Sequence, residues 1–540
     1  MTIAETLLLA SVAGPLAMLL ACVSRRMRDR MPFLLALAPA PALVAALLAP
    51  AGTGLVLPEP PFRMTLALDV PGAILLGTAA LLWIVAGAYA STYLRDDPNA
   101  ARFAEWWLLT LTGNLGVFIV ADLVSFYLMF SVVSLAAYGL IVHDDTRGSS
   151  RAGIIYVALA VLGEAFLLMA FVFMAEATPD GSLLIRDAVK ALPTSPWRDA
   201  SLVLLILGFG LKIGLVPGHM WMPLAYTAAP IPAAAALSGA AVKAGVIGFI
   251  RFLPLGVAMP GWGELLAGAG IFSAFYGVLV GVTQQNPKTV LAYSSVSQMG
   301  LLAAALGMGL AAGDSGVALG TSFFAAHHVL VKGGLFLAVG ASAAAGPRLW
   351  PVLIPAAALA LGLGGLPLTG GMLAKLAVKT QFGEGIVGTL AAWSAVGSTL
   401  LMLHFLRCLR QTTPRDPSPT ALMRPWLIMA FAAVAVPWVL YLAVESGTLF
   451  EALSLGAFWA GFWPVLIGGV LAFGLWRWGD RLPSVPEGDF VVVGERAVRA
   501  SITWSDALER ADGYLRQWPV ASLLLLILAI ILGAAMLPWG

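Results

Sequence analysis

The chain has 540 residues, 60% of them apolar and 11% charged, where an average soluble domain carries about 25% charged residues. Its 30 basic and 28 acidic residues leave a net charge of +2. So few charges exclude a soluble enzyme, a nucleic-acid binder and a disordered scaffold, and at ~20 apolar residues per span they leave room for about sixteen membrane helices.

In chain order, apolar runs of spanning length fall at 2–23, 32–54, 70–92, 104–121, 123–143, 152–175, 201–218, 229–252, 262–284, 288–311, 316–341, 351–380, 385–409, 424–445, 458–478 and 518–538. They predict an all-α, polytopic bundle of about sixteen spans. The first run follows Met1 with no basic leader and no Ala-x-Ala site, so it is expected to remain as a span. Basic clusters follow the first run (Arg25, Arg26, Arg28, Arg30), the third (Arg95, Arg102), the fifth (Arg147, Arg151), the ninth (Lys288) and the thirteenth (Arg407, Arg410, Arg415, Arg424). The positive-inside rule puts those loops in the cytoplasm and the N-terminus outside a bacterial inner membrane. The loop bearing Arg186, Lys190 and Arg198 runs against this pattern, with Asp187 and Asp199 beside its charges. Segment 477–517 is the one long polar stretch. From Val491 it sets Val498, Ile502, Trp504, Leu508 and Leu515 at helical spacing against Arg496, Arg499, Asp506, Glu509, Arg510 and Asp512. An amphipathic helix lying on lipid or on a neighbouring subunit fits that pattern.

Two runs are interrupted. The seventh reads GFGLKIGLVPGHMWMP and contains Pro217; the twelfth reads LGLGGLPLTGGMLAK and contains Pro367. Proline removes a helix donor, and backbone freed at membrane depth survives only inside protein or beside a wet cavity. A break at corresponding places in two halves is the pattern of an inverted-repeat transporter.

Charges inside the spans carry the most information. Lys212 lies in the seventh, Lys243 in the eighth, Lys332 in the eleventh and Lys375 in the twelfth, after its break. Each costs ~2.5–3.5 kcal/mol at a helix centre, which marks function unless the side chain snorkels out from a helix end. Lysine suits a proton relay because, unlike arginine, it gives up its proton when desolvated. His327 and His328 precede Lys332, and His328 shares its helix face at i,i+4. On the acidic side, Glu164 lies mid-span in the sixth run and Asp122 opens the fifth, where it serves either as a relay group or as an interfacial cap. Cys22 and Cys408 stand far apart with no Cys/His cluster, and no nucleotide loop or nucleophilic triad is present. No metal, no cofactor and no catalytic residue are expected, so any enzymatic activity would belong to a translocase of which this chain is a subunit.

The strings LKIGLVPGHMWMPLAYTAAPIPAAAALSGAAVKAGVIGFIRF, NPKTVLAYSSVSQMGLL, HHVLVKGGLFLAVG and GLPLTGGMLAKL resemble the central region of the antiporter-like membrane subunits of respiratory complex I, Mrp-type cation/proton antiporters and energy-converting hydrogenases. The resemblance covers roughly residues 100–410. It implies two inverted five-helix repeats, each with a broken helix, and divides the chain into N-terminal spans 1–103, a first repeat 104–252, a second repeat 253–410 and C-terminal spans 411–540 holding the 477–517 connector. It also implies proton or sodium/proton translocation within a larger complex of membrane subunits. The relay would fall on Lys212, Lys243, His328, Lys332 and Lys375, with Glu164, Asp122, His327 and Ser131 as further relay or pairing positions. One departure stands out. The string FYLMFSVVSLAAYGLI puts Ser131 where the resemblance leads one to expect a glutamate partnering the Lys212 position, and Glu164 is the acid available to replace it. A stand-alone Na⁺/H⁺ antiporter and a structural subunit with a degenerate channel are the alternative readings.

Overall fold

The computed structural model describes residues 1–57, 64–178, 181–345, 349–412, 420–443, 448–479, 483 and 485–491. They fall into two units, Met1–Glu487 and Gly488–Gly540. Of the second, only a turn at 488–491 is described, so most of the expected surface helix and the last run, 518–538, lie outside the described residues.

Twelve helices among the described residues are long and apolar enough to cross a membrane. With the shorter helices that bear on the site, they are α1 (Ile3–Ala21), α2 (Val70–Tyr93), α3 (Ala100–Val117), α4 (Leu123–Ile141), α5 (Arg147–Glu176), the broken pair α6 (Arg198–Ile213) and α7 (Trp221–Ala228), α8 (Ile231–Phe252), α9 (Pro260–Gly281), α10 (Pro287–Ala312), α11 (Val317–Ala345), the broken pair α12 (Trp350–Gly364) and α13 (Gly370–Ala377), α14 (Ile386–Thr412), α15 (Met423–Ala443) and α16 (Leu455–Trp478).

Three expected runs take other forms. The run 32–54 is divided into helices Arg25–Leu34 and Ala40–Leu48, because Pro39 and Pro41 supply no N–H where the two would join. The run 351–380 is divided, at the interruption its sequence shows, into α12 and α13, and 104–121 is the 18-residue helix α3, which begins and ends about four residues earlier. The all-α expectation also misses an antiparallel hairpin, β1 (Gly54–Leu57) with β2 (Met64–Ala67). Thr65 N–H donates to Asp122 Oδ2 at 2.8 Å and Ala67 N–H to the Ile119 carbonyl at 2.6 Å, so the hairpin takes up polar groups at the ends of α3 and α4.

Arg251 closes the same end of the molecule. Its guanidinium donates to both carboxylate oxygens of Asp69, at 2.9 and 3.1 Å, and to the carbonyls of Val117, Phe118 and Val120 that end α3. Five donors in a planar fork fill that set of acceptors. Burial works to raise the Asp69 carboxyl, but the guanidinium and the Gly72 N–H override it and hold the group below the usual carboxylate range.

The centre of the bundle is α8, α10 and α11. Every residue in the apolar window of α8 is buried, and 83% in those of α10 and α11, against 22% for α1 and α16. A helix enclosed by other helices can carry polar and charged side chains that lipid would penalise, and these are the helices that carry Lys243 and Lys332.

α9 and α10 pack antiparallel through glycines seven residues apart. A Cβ on Gly263, Gly270 or Gly277 would stand 2.3–2.6 Å from the backbone of α10. Small residues let the two backbones touch. Gly270→Leu is therefore expected to destabilise the bundle by about 1–3 kcal/mol or more, read as a lower thermal midpoint in detergent. Gly268→Leu, at a position with nothing within 4 Å, is the control that should leave it unchanged.

Candidate functional site

The two helix breaks are built alike. α6 ends at Gly214 (φ 75°) and α12 at Gly365 (φ 94°), both left-handed. In each, the next N–H reaches back five residues, Leu215 to the Gly210 carbonyl at 2.9 Å and Leu366 to the Leu361 carbonyl at 3.1 Å. This is the Schellman ending, which needs glycine because a Cβ disfavours that φ. Pro217 and Pro367 follow within three residues, and each chain then re-enters a helix.

Lys212 sits in the last turn of α6, buried, with Nζ donating to Ser134 Oγ of α4 at 2.8 Å and lying 5.3 Å from the centre of the Phe130 ring. Glu164 of α5 is also buried, 6% exposed, within Coulombic reach of Lys212 and beside Ser131 and Ser134. Its Oε1 and the Ser131 Oγ make no hydrogen bond of full geometry, although both serine hydroxyls lie within reach of the carboxyl. A cavity of about 20 Å³ opens between Lys212, Ser134, Tyr156 and Trp221, room for about one water.

Lys243 follows a π-helical turn at Leu237–Ala241 in α8. Such turns offset the helix by a residue and recur at functional sites. Fully buried, Lys243 Nζ stands 2.6 Å from His328 Nδ1 of α11 and 3.3 Å from the Ser238 carbonyl. Lys332, one turn beyond His328, donates to the Leu291 carbonyl of α10 at 2.8 Å. Ser295 Oγ donates to that same carbonyl and shares a 3.0 Å hydrogen bond with Ser238 Oγ. Lys243, His328 and Lys332 thus form one group joined through α8, α10 and α11. Protonating all three together would set like charges side by side in a dry interior, so three positive charges at once are strongly disfavoured.

His327, adjacent in sequence, points elsewhere. Its ring lies against Gly370 and Gly371, where α13 begins, within Coulombic reach of Lys375. Lys375 Nζ donates at 2.5 Å to the Gly364 carbonyl, the last of α12. It also lines a cavity of about 200 Å³ with Leu301, Lys379 and Trp463.

The remaining candidates sit apart. Asp122 caps α4 through Ser125 N–H at 2.8 Å and holds Thr65 with its other oxygen, so both its oxygens serve the backbone. Pro217 and Pro367 lie in the breaks, as their residue type requires. Sequence reasoning passed over Ser134, Tyr156, Tyr226, Ser238 and Ser295, because a hydroxyl in an apolar run is usually bonded to its own helix. The runs SSVSQ and AYTAAP were the available signal. Among the described residues, no group of three or more His, Cys, Asp and Glu gathers to hold a metal ion.

Residues 120–401 match the family described as NADH:quinone oxidoreductase/Mrp antiporter, TM. The chain belongs to this family. It is 30% identical over 390 residues to the NADH-quinone oxidoreductase subunit N of Desulforudis audaxviator, a match covering 67% of this chain and 75% of that protein. It is 31% identical over 299 residues to hydrogenase-4 component B of Escherichia coli, covering 52% of this chain but only 44% of that longer protein. The Mrp complex from Dietzia sp. contains a chain that superposes on 99% of this one and on 63% of its own length, with a TM-score of 0.74 at 20% identity, a likeness of fold. The matched segment holds Lys212, Lys243, His328, Lys332 and Lys375. It also holds Ser131 and Glu164.

Proposed function

We propose that the chain is a proton-translocating, antiporter-like subunit of a larger membrane complex related to complex I, Mrp antiporters or membrane hydrogenases. The observation that carries this reading is the buried row of basic groups running from one helix break to the other. Lys212 meets Ser134 and Glu164, Lys243 meets His328 and Ser238, Lys332 meets Leu291, and Lys375 closes on Gly364. Four lysines at such depth cost roughly 10–14 kcal/mol by insertion scales, more than packing alone accounts for. In this reading a proton moves along the row by successive switching of neighbouring bases, and partner subunits supply the driving energy. The fold then comprises the two inverted repeats 104–252 and 253–410 in an inner membrane, with the N-terminus outside and the 477–517 connector against lipid or a neighbouring subunit.

Glu164 beside Lys212 speaks against a degenerate, structural-only channel, since it restores a carboxylate where Ser131 cannot supply one. The test uses inverted vesicles from cells carrying the intact complex. Acidification, followed by quenching of a pH-sensitive dye, is expected to fall to the uncoupled level when this chain is deleted and restored in trans as the Lys212→Met variant. Undiminished acidification with that variant would overturn the reading. Acidification that requires sodium would favour the Na⁺/H⁺ alternative.

A further inference from the structure

Among the described residues no hydrogen bond joins Lys212 to Lys243, although both belong to the proposed row. Hydroxyl-bearing residues fill the interval. Tyr156 of α5 lines the cavity at Lys212 and donates to the Ser134 carbonyl at 2.7 Å. Across Trp221 lies Tyr226 of α7, fully buried, its ring edge-on to Trp221 at 5.6 Å and to Phe336 at 5.8 Å. The Tyr226 hydroxyl makes no hydrogen bond of full geometry, and the Ser238 side chain is the polar group within its reach. Tyr156 and the Ser238 side chain are its electrostatic neighbours. Ser238 in turn bonds Ser295 through its hydroxyl and Lys243 through its carbonyl. A hydroxyl short of a full hydrogen bond in a dry interior is unfavourable, and here it is held between two lysine sites by rings that fix the phenol in place.

We propose that Tyr226 is the proton bridge between Lys212 and Lys243. The inference rests on the translocation proposed above and adds the link that the row lacks. A proton leaving the Lys212 ammonium passes through a water in the Tyr156-lined cavity to Tyr226 Oη. As that O–H bond forms, the phenol's own proton goes to Ser238 Oγ, and Ser238 passes one on to the neutral amine of Lys243. Each hydroxyl gains one proton and loses one, so neither changes charge. The only net change is a proton moved from Lys212 to Lys243. A hydroxyl can do this because it both donates and accepts.

The experiment compares Tyr226→Phe with Lys212→Met and Lys332→Met in the assembled complex, measuring acidification of inverted vesicles, complex abundance and thermal midpoint. Tyr226→Phe removes one oxygen and at most a weak contact with Ser238, so assembly and midpoint are expected to change little, while acidification falls at least about tenfold. Wild-type acidification by Tyr226→Phe while both lysine variants are inactive would overturn the bridge and leave the lysine row standing. Wild-type acidification by all three variants would overturn the row itself, and the bridge with it. Should Tyr226→Phe fail to assemble, Ser238→Ala decides. A loss of acidification in an assembled complex supports the bridge, and a wild-type rate overturns it.

Discussion

Lys332→Met is expected to reduce proton translocation by the assembled complex at least about 100-fold, the scale of losing one positioned proton carrier. Methionine keeps the length and apolar stem of the side chain, so the closely packed α10–α11 contact survives while the ammonium on the Leu291 carbonyl is lost. Lys332 and Lys243 lie within reach of each other's charge, with His328 between them. Removing either therefore breaks the sharing of protons among the three. Complex abundance and the rate of vesicle acidification, measured together, check the prediction. A normal rate in normally assembled complex would sink the central row.

Glu164→Gln should produce the second large loss, about tenfold or more, since a carboxylate close to an amine changes its proton affinity by ~1–3 pH units and Gln supplies no charge. The pairing predicts more than a loss. Glu164 lies within charge reach of Lys212 and beside Ser131 on the neighbouring helix, so a carboxylate moved to position 131 is expected to stay close enough to act on the amine. The double variant Glu164→Gln/Ser131→Glu is expected to recover part of the activity lost in the single one. Equal inactivity of the two, with both assembled, would assign Glu164 a role other than partner to Lys212.

Much of this protein was legible in its amino-acid order, and the reason is the solvent. A bilayer forbids unpaired backbone and penalises charge, so apolar runs mark the spans, Pro and Gly mark the breaks, and Lys212, Lys243, Lys332 and Lys375 stand out by energetic cost alone. Those features are local, decided within a turn or two of each residue. Short-range competition still escaped the reading at 32–54, where closely spaced prolines divide the run, and at β1–β2, where the hairpin pairs with the ends of α3 and α4. The partners escaped it altogether. His327 and His328 read as one pair, yet adjacent residues on a helix point about 100° apart, so one meets Lys375 across α13 and the other Lys243 on α8. Asp122 read as either a relay group or a cap, and the hairpin against it decides for the cap, while Glu164 turns to a lysine on α6. Helical periodicity determines the direction in which each side chain leaves its own axis. Which helix stands there to receive it depends on how the described helices pack around α8, α10 and α11, and close approach between backbones, as at Gly270, is a property of both partners at once.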